Sequence, residues 1–144
     1  MQGITIDKMY VGQYALLEKT VTNNDVHIFA GLTGDMNPVH LDDTYASCSI
    51  FQQRIAHGGL IAGLFSTILG TILPGIGTIY LQQDSKFVKP VYIGDTVSVK
   101  VEVEELDYVK NRVKLKTIAT NQNDQAVIIG HAIVMPPKKE EFYE

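Results

Sequence analysis

Between Phe29 and His40 the chain reads Phe-Ala-Gly-Leu-Thr-Gly-Asp-Met-Asn-Pro-Val-His, which sets a carboxylate, an amide and an imidazole close together in one short segment. Asp35 and His40 are the residue types of a general acid/base pair that works near neutral pH. The same segment forbids a continuous helix. Gly34 admits a backbone conformation that a side chain penalises. Pro38 has no N–H and drives Asn37 out of the helical region, so Asn37 is expected to be extended or in a turn. This pattern predicts a bent loop on which the Asp35 and His40 side chains converge. Turn formation alone is the competing explanation, because Asp and Asn side chains readily bond their own backbone in such a sequence.

A second point of chemical interest is His57-Gly58-Gly59, which opens the most apolar run of the chain. The N–H groups of a helix's first turn point outward with the positive end of the dipole, where they can meet charge developing on a carbonyl oxygen. A glycine at 58 would let a substrate approach that backbone closely. The competing explanation is that two glycines only ease a tight entry into the helix.

Elements must hold these two points together. Thr22 reads as an N-cap with Asp25 in the first turn, and Val26, Phe29, Ala30 and Thr33 follow at helical spacing, predicting a helix that ends at Gly34. Asp42 or Asp43 caps a short helical piece through Ala46, and an irregular linker follows near 52–55. Leu60, Leu64 and Ile68 form one stripe and Ile61, Phe65 and Leu69 the next, which predicts a helix over 58–70 buried nearly all round. Only Ser66 and Thr67 interrupt it with hydroxyls, and Leu73-Pro74-Gly75-Ile76-Gly77 ends it. Beyond it the period changes to two. Thr78–Phe87 is a strand, Gly94-Asp95 a turn, and Val97, Val99, Val101 and Val103 alternate with polar residues along the next strand. Arg112, Lys114 and Lys116 alternate with Val113, Leu115 and Thr117. Asn121–Gln125 is a turn, and 126–134 is apolar on both faces, so it is central or covered by a partner. Lys110, Arg112, Lys114 and Lys116 are expected to pair across strands with Glu102 and Glu104, or else to meet phosphates. The economical arrangement is an α+β domain in which an antiparallel sheet wraps around the long apolar helix, as in a hot-dog fold.

Bulk properties narrow the function classes. The 144 residues are expected to form one domain, 1–144, with a charged C-terminal tail over 135–144. A hydrophobic content of 45% and a net charge of −4 argue against disorder and give no pull toward nucleic acid or an anionic membrane. The single cysteine, Cys48, excludes an internal disulfide and fits a reducing compartment, where it is expected to be inert packing. No Cys and His spacing suits a metal site. The run 59–73 is too short for a membrane span, Met1–Asp7 lacks the pattern of a signal peptide, and 138–144 carries no retention tripeptide. The expected location is the cytoplasm.

Phe29…Gly34-Asp35-x-Asn37-Pro38-x-His40, then His57-Gly58 opening an apolar helix with Ser66, resembles the MaoC-like, (R)-specific enoyl-CoA hydratases. The resemblance runs on through Leu73-Pro74-Gly75 and Phe87-x-x-Pro90-Val91-x-x-Gly94-Asp95. It implies a hot-dog fold, a homodimer or higher homo-oligomer, and reversible addition of water to a trans-2-enoyl-CoA, with a short acyl group such as crotonyl expected. The (R)-3-hydroxyacyl-CoA formed would serve fatty-acid metabolism or polyhydroxyalkanoate synthesis. Carried over by position, Asp35 and His40 are the catalytic pair, Gly58 supplies an oxyanion N–H, and Ser66 orients the catalytic loop. Asn37, His57 and Gly59 are expected at the substrate, with a structural role competing for His57. No metal or redox cofactor is implied, since CoA arrives as part of the substrate. A hydroxyacyl-ACP dehydratase shares this chemistry on another carrier. A hot-dog thioesterase would need an acidic residue on the central helix, and 58–70 has none. A non-catalytic binding protein leaves the Asp35 and His40 pair unexplained.

Overall fold

The computed structural model describes residues 2–138. Five antiparallel strands form one sheet in the order β1-β3-β4-β5-β2: β1 (Tyr14–Thr20), β2 (Ile79–Phe87), β3 (Thr96–Asp107), β4 (Arg112–Thr120) and β5 (Ala126–Met135). Helices α1 (Asn23–Thr33), α2 (Pro38–Leu41), α3 (Asp43–Ser47) and α4 (Gly58–Thr71) lie between β1 and β2 in the chain. This is the hot-dog arrangement.

The period-two pattern of β3 decides which face of the sheet meets α4. Val97, Val99, Val101 and Val103 are all buried and pack in one cluster with Ile61, Phe65, Ile68 and Leu69 of α4. The alternate residues of β3 face outward, where Lys114 reaches Glu104 at 3.9 Å and Lys100 reaches Glu102 at 3.2 Å. β5 lies between β4 and β2 and is paired on both sides, so it is an interior strand of the sheet.

Three expectations need correction. α4 is not buried all round: Gly59, Gly63, Ser66 and Thr67 fall on one stripe at helical spacing and are exposed. Cys48 is exposed rather than packed. The tail does not begin at 135, because Met135 ends β5, Pro136 and Pro137 are buried, and the Pro136 carbonyl accepts from Asn111 at 2.9 Å. Residues 139–144 lie outside the described residues. The start of the chain also does more than turn at Gly12, since the Gly3 and Ile4 N–H groups donate to the Ile76 and Pro74 carbonyls and Met9 is buried.

α1 begins as its sequence predicts. The Thr22 hydroxyl accepts from the Asp25 N–H at 3.1 Å, and the Asp25 carboxylate accepts from the Thr22 N–H at 2.9 Å, a reciprocal capping box. That backbone N–H, together with Lys19 at 2.9 Å, holds the Asp25 carboxyl below its usual range. A carboxyl lowered on folding stabilises the protein above its unfolded pKa of about 3.9 and loses that contribution as pH falls through the folded value. Thr22→Ala is expected to cost about 1 kcal/mol in urea denaturation at pH 7. The difference between wild type and Asp25→Asn should shrink as the pH is taken below about 4.

Candidate active site

Gly34 ends α1 in a left-handed conformation, φ 81°, that an L side chain strains to adopt, and its N–H donates to the Ala30 carbonyl. The chain then runs irregularly through Asp35 and Asn37 and turns helical again at Pro38. Asn37 is extended, φ −53° and ψ 123°, as the residue before a proline must be, and its side-chain oxygen accepts from the Val39 N–H at 3.2 Å. His40 therefore sits on the helical turn of α2 rather than on a loop. An Asp35 carboxylate oxygen accepts from the Asn37 N–H at 3.2 Å, which sets its direction, and the residue is exposed.

The linker before α4 supplies the other wall. The Ile55 N–H donates to the Val39 carbonyl and the Ala56 N–H to the Val91 carbonyl, so 55–57 is pinned between α2 and the approach to β3. His40 is buried, and its Nδ1 lies 2.7 Å from the Ile55 carbonyl oxygen. A carbonyl only accepts, so Nδ1 carries the proton and Nε2 of the neutral ring keeps the lone pair. His57, the residue preceding α4, is 2% exposed. Its Nε2 lies 3.1 Å from the Asp35 carbonyl oxygen, and its ring stacks on His40 with centroids 3.8 Å apart and planes 25° apart. Phe29 meets the same ring at 4.8 Å. One potential ligand atom from each of Asp35, His40 and His57 falls within 4.8 Å of the others. Each ring has one nitrogen at a backbone carbonyl, which leaves His40 Nε2 and His57 Nδ1 as the lone-pair atoms.

A cavity of about 540 Å³ opens beside the trio, walled by Phe51, Ile55, Gly58, Gly59, Phe87 and Ile128 among others. None of the trio lines this chamber, but two of its wall residues adjoin the trio: Ile55 holds His40 and Gly58 follows His57, and the chamber has the size that accepts small ligands. At the start of α4 the Leu60 and Ile61 N–H groups turn back to the His57 carbonyl, while those of Gly58 and Gly59 find no acceptor among the described residues.

The structure thus brings together Asp35, His40, His57 and Gly58. Asn37 is occupied as a cap. Gly59 is exposed, and a Cβ there would lie 3.1 Å from the Phe29 ring. His57 is buried beneath Asp35 and His40 rather than lining the cavity. Ser66 is not brought to the trio by a hydrogen bond: it lies on the exposed stripe of α4 and bonds to nothing among the described residues. Two residues were not foreseen. Arg54 donates from Nε to the His40 carbonyl at 2.7 Å and from Nη2 to the Asn23 side chain at 2.6 Å, tying α2 to the start of α1. Phe87 lies against Gly58, where a Cβ would come within 2.7 Å of its ring. The sequence signals were an isolated arginine in an irregular linker for Arg54 and, for Phe87, its place in the stretch that carries the family resemblance, with no role attached.

A family model described as the MaoC like domain matches residues 10–126. A 3-hydroxybutyryl-CoA dehydratase of Methylorubrum extorquens is 45% identical over 141 residues, which cover 98% of this chain and 89% of that protein. An (R)-specific enoyl-CoA hydratase of Rhodospirillum rubrum is 47% identical over 128 residues, 89% of this chain and 88% of its own. The solved structure of the R-hydratase PhaJ1 from Pseudomonas aeruginosa superposes with a TM-score of 0.91 at 42% identity, covering 99% of this chain and 94% of that one.

Proposed function

The chain belongs to the MaoC-like family, and from that premise we propose that it is an (R)-specific enoyl-CoA hydratase, a hydro-lyase that adds water reversibly to a trans-2-enoyl-CoA. Short acyl groups such as crotonyl are the substrates this reading favours, with the acyl chain in the apolar chamber beside Gly58. The observation that carries the reading is the convergence of the Asp35 carboxylate and the His40 imidazole, within 4.8 Å of each other.

The residues divide the chemistry as follows. A water donates one O–H to the Asp35 carboxylate and the other to the His40 Nε2 lone pair, which leaves an oxygen lone pair for C3 of the enoyl group. As the O–C3 bond forms, Asp35 acts as base while His40 positions the water; one hydrogen stays on the new hydroxyl and the other passes through the pair to C2. Proton transfer of this kind contributes on the order of 10²–10⁴-fold. Charge pushed onto the thioester oxygen meets the unpartnered N–H at the start of α4, aided by the helix dipole. Every step is a proton transfer or a C–O bond change, so no metal or redox cofactor enters the scheme, and CoA is part of the substrate.

Two further parts of the reading concern surroundings. Asp35 is exposed in the single chain, whereas a catalytic carboxylate works best shielded from bulk water. β2 is an edge strand that leaves Ile79, Tyr80, Leu81 and Phe87 exposed. A second copy paired along β2 covers this apolar edge and makes the homodimer. No helix among the described residues is long and apolar enough to cross a membrane. The lone cysteine remains compatible with the cytoplasm, where we place the enzyme.

The test is direct. With crotonyl-CoA the purified protein should remove the enoyl-thioester absorbance and yield the (R)-3-hydroxy product on chiral analysis. Turnover of an enoyl-ACP but not of any enoyl-CoA would move the reading to a carrier-protein dehydratase, and inactivity on all enoyl thioesters would overturn it.

A further inference from the structure

We propose that His57 is the positioning residue of the site: a neutral ring, protonated at Nε2, that holds the Asp35 backbone and the His40 ring at once. The proposal rests on the hydratase reading for its kinetic consequence but not for its geometry. His57 is buried between Phe29 and His40, with ring centroids 4.8 Å and 3.8 Å away. Its Nε2 faces the Asp35 carbonyl at 3.1 Å, so Nε2 is the donor and Nδ1 keeps the lone pair. Nδ1 is buried and finds no partner among the described residues. A ring held there for its own stability would normally satisfy both nitrogens. This one satisfies the nitrogen that reaches the catalytic loop.

The two histidines carry opposite tautomers. His40 donates from Nδ1 to Ile55 and His57 donates from Nε2 to Asp35, each to a carbonyl that cannot return a proton. His40 is the ring with a free Nε2 for the reaction, and His57 is the fixed surface beneath it. Because His57 immediately precedes α4, the same residue ties the carboxylate loop and the imidazole turn to the helix whose first N–H groups await the thioester oxygen. Loss of the ring should displace the acid/base pair relative to that N-terminus without emptying the chamber. Misplacement on the ångström scale costs about 100-fold in rate.

The experiment compares His57→Ala, His57→Gln and His57→Phe with crotonyl-CoA, following kcat and KM separately. His57→Ala should lower kcat about 100-fold with KM changed less than about threefold. Glutamine keeps a donor near the Nε2 position and should recover roughly tenfold of that loss, whereas phenylalanine keeps the stacked ring without the donor and should not. Wild-type kcat in His57→Phe, or a folded His57→Gln no better than His57→Ala, would overturn the proposal. Side-chain ¹⁵N spectra of the wild-type protein make the test independent of whether any variant folds. They should show His57 protonated at Nε2 and His40 at Nδ1, and the reverse tautomer at His57 would overturn the assignment. Failure of the wild type on every enoyl thioester would count against the hydratase reading and leave this spectroscopic result standing.

Discussion

Asp35→Asn is expected to lower kcat with crotonyl-CoA by about 10³-fold while leaving the protein as stable as the wild type. The two halves of that expectation come from different bonds. The Asn37 N–H that the carboxylate accepts at 3.2 Å can be accepted equally by an amide oxygen, and Asp35 is exposed, so the segment after Gly34 keeps its path. An amide has no lone pair basic enough to take a proton from water, so the chemistry stops where the geometry survives. kcat and kcat/KM should fall together, the signature of an interaction made in the transition state rather than in binding. Full activity in this variant, with its thermal midpoint unchanged, would remove Asp35 from the mechanism.

His40→Asn should produce a loss of comparable size, on the order of 10²–10⁴-fold, but with a structural cost attached. Asparagine can place its NH₂ close to where Nδ1 donates to the Ile55 carbonyl, so that buried acceptor is not abandoned. It offers nothing where Nε2 stood, and it removes the ring that stacks on His57. The fold should persist with a loss of about 1–2 kcal/mol in urea denaturation, and turnover should not. Substitution by alanine would strand the Ile55 carbonyl as well and confuse the two effects. A His40→Asn protein that retains more than a tenth of wild-type kcat would show that the imidazole is not the proton carrier.

Much of this molecule is legible in its sequence because the signals are local. Thr22 and Asp25 form the capping box their spacing announces, Gly34 takes the positive φ it was expected to permit, and the valines of β3 all face the core. Asp35 and His40 converge because Pro38 dictates where the backbone turns, a constraint that acts over one or two residues. The less legible features depend on partners distant in the chain. Whether Ser66 faced the catalytic loop or the exposed stripe of α4 depended on how α4 is rotated against the sheet, which apolar residues on several sides of the helix left undecided. The role of His57 depends on a ring 17 positions earlier, and that of Arg54 on a carbonyl 14 positions earlier. Neither pairing leaves a periodic trace.

The packing of Phe87 against Gly58 has a consequence for how such a sequence can drift. Any side chain at 58 meets the ring at 87, since even a methyl group would sit 2.7 Å from it. Position 58 is not free to change first. Enlarging residue 58 alone crowds the entrance to α4, while shortening residue 87, which is already exposed, opens the space beside Gly58. The two sites, 29 positions apart, should therefore be coupled in order: a smaller residue at 87 relieves the contact and opens position 58 to change, whereas a larger residue at 58 needs the ring at 87 to move first.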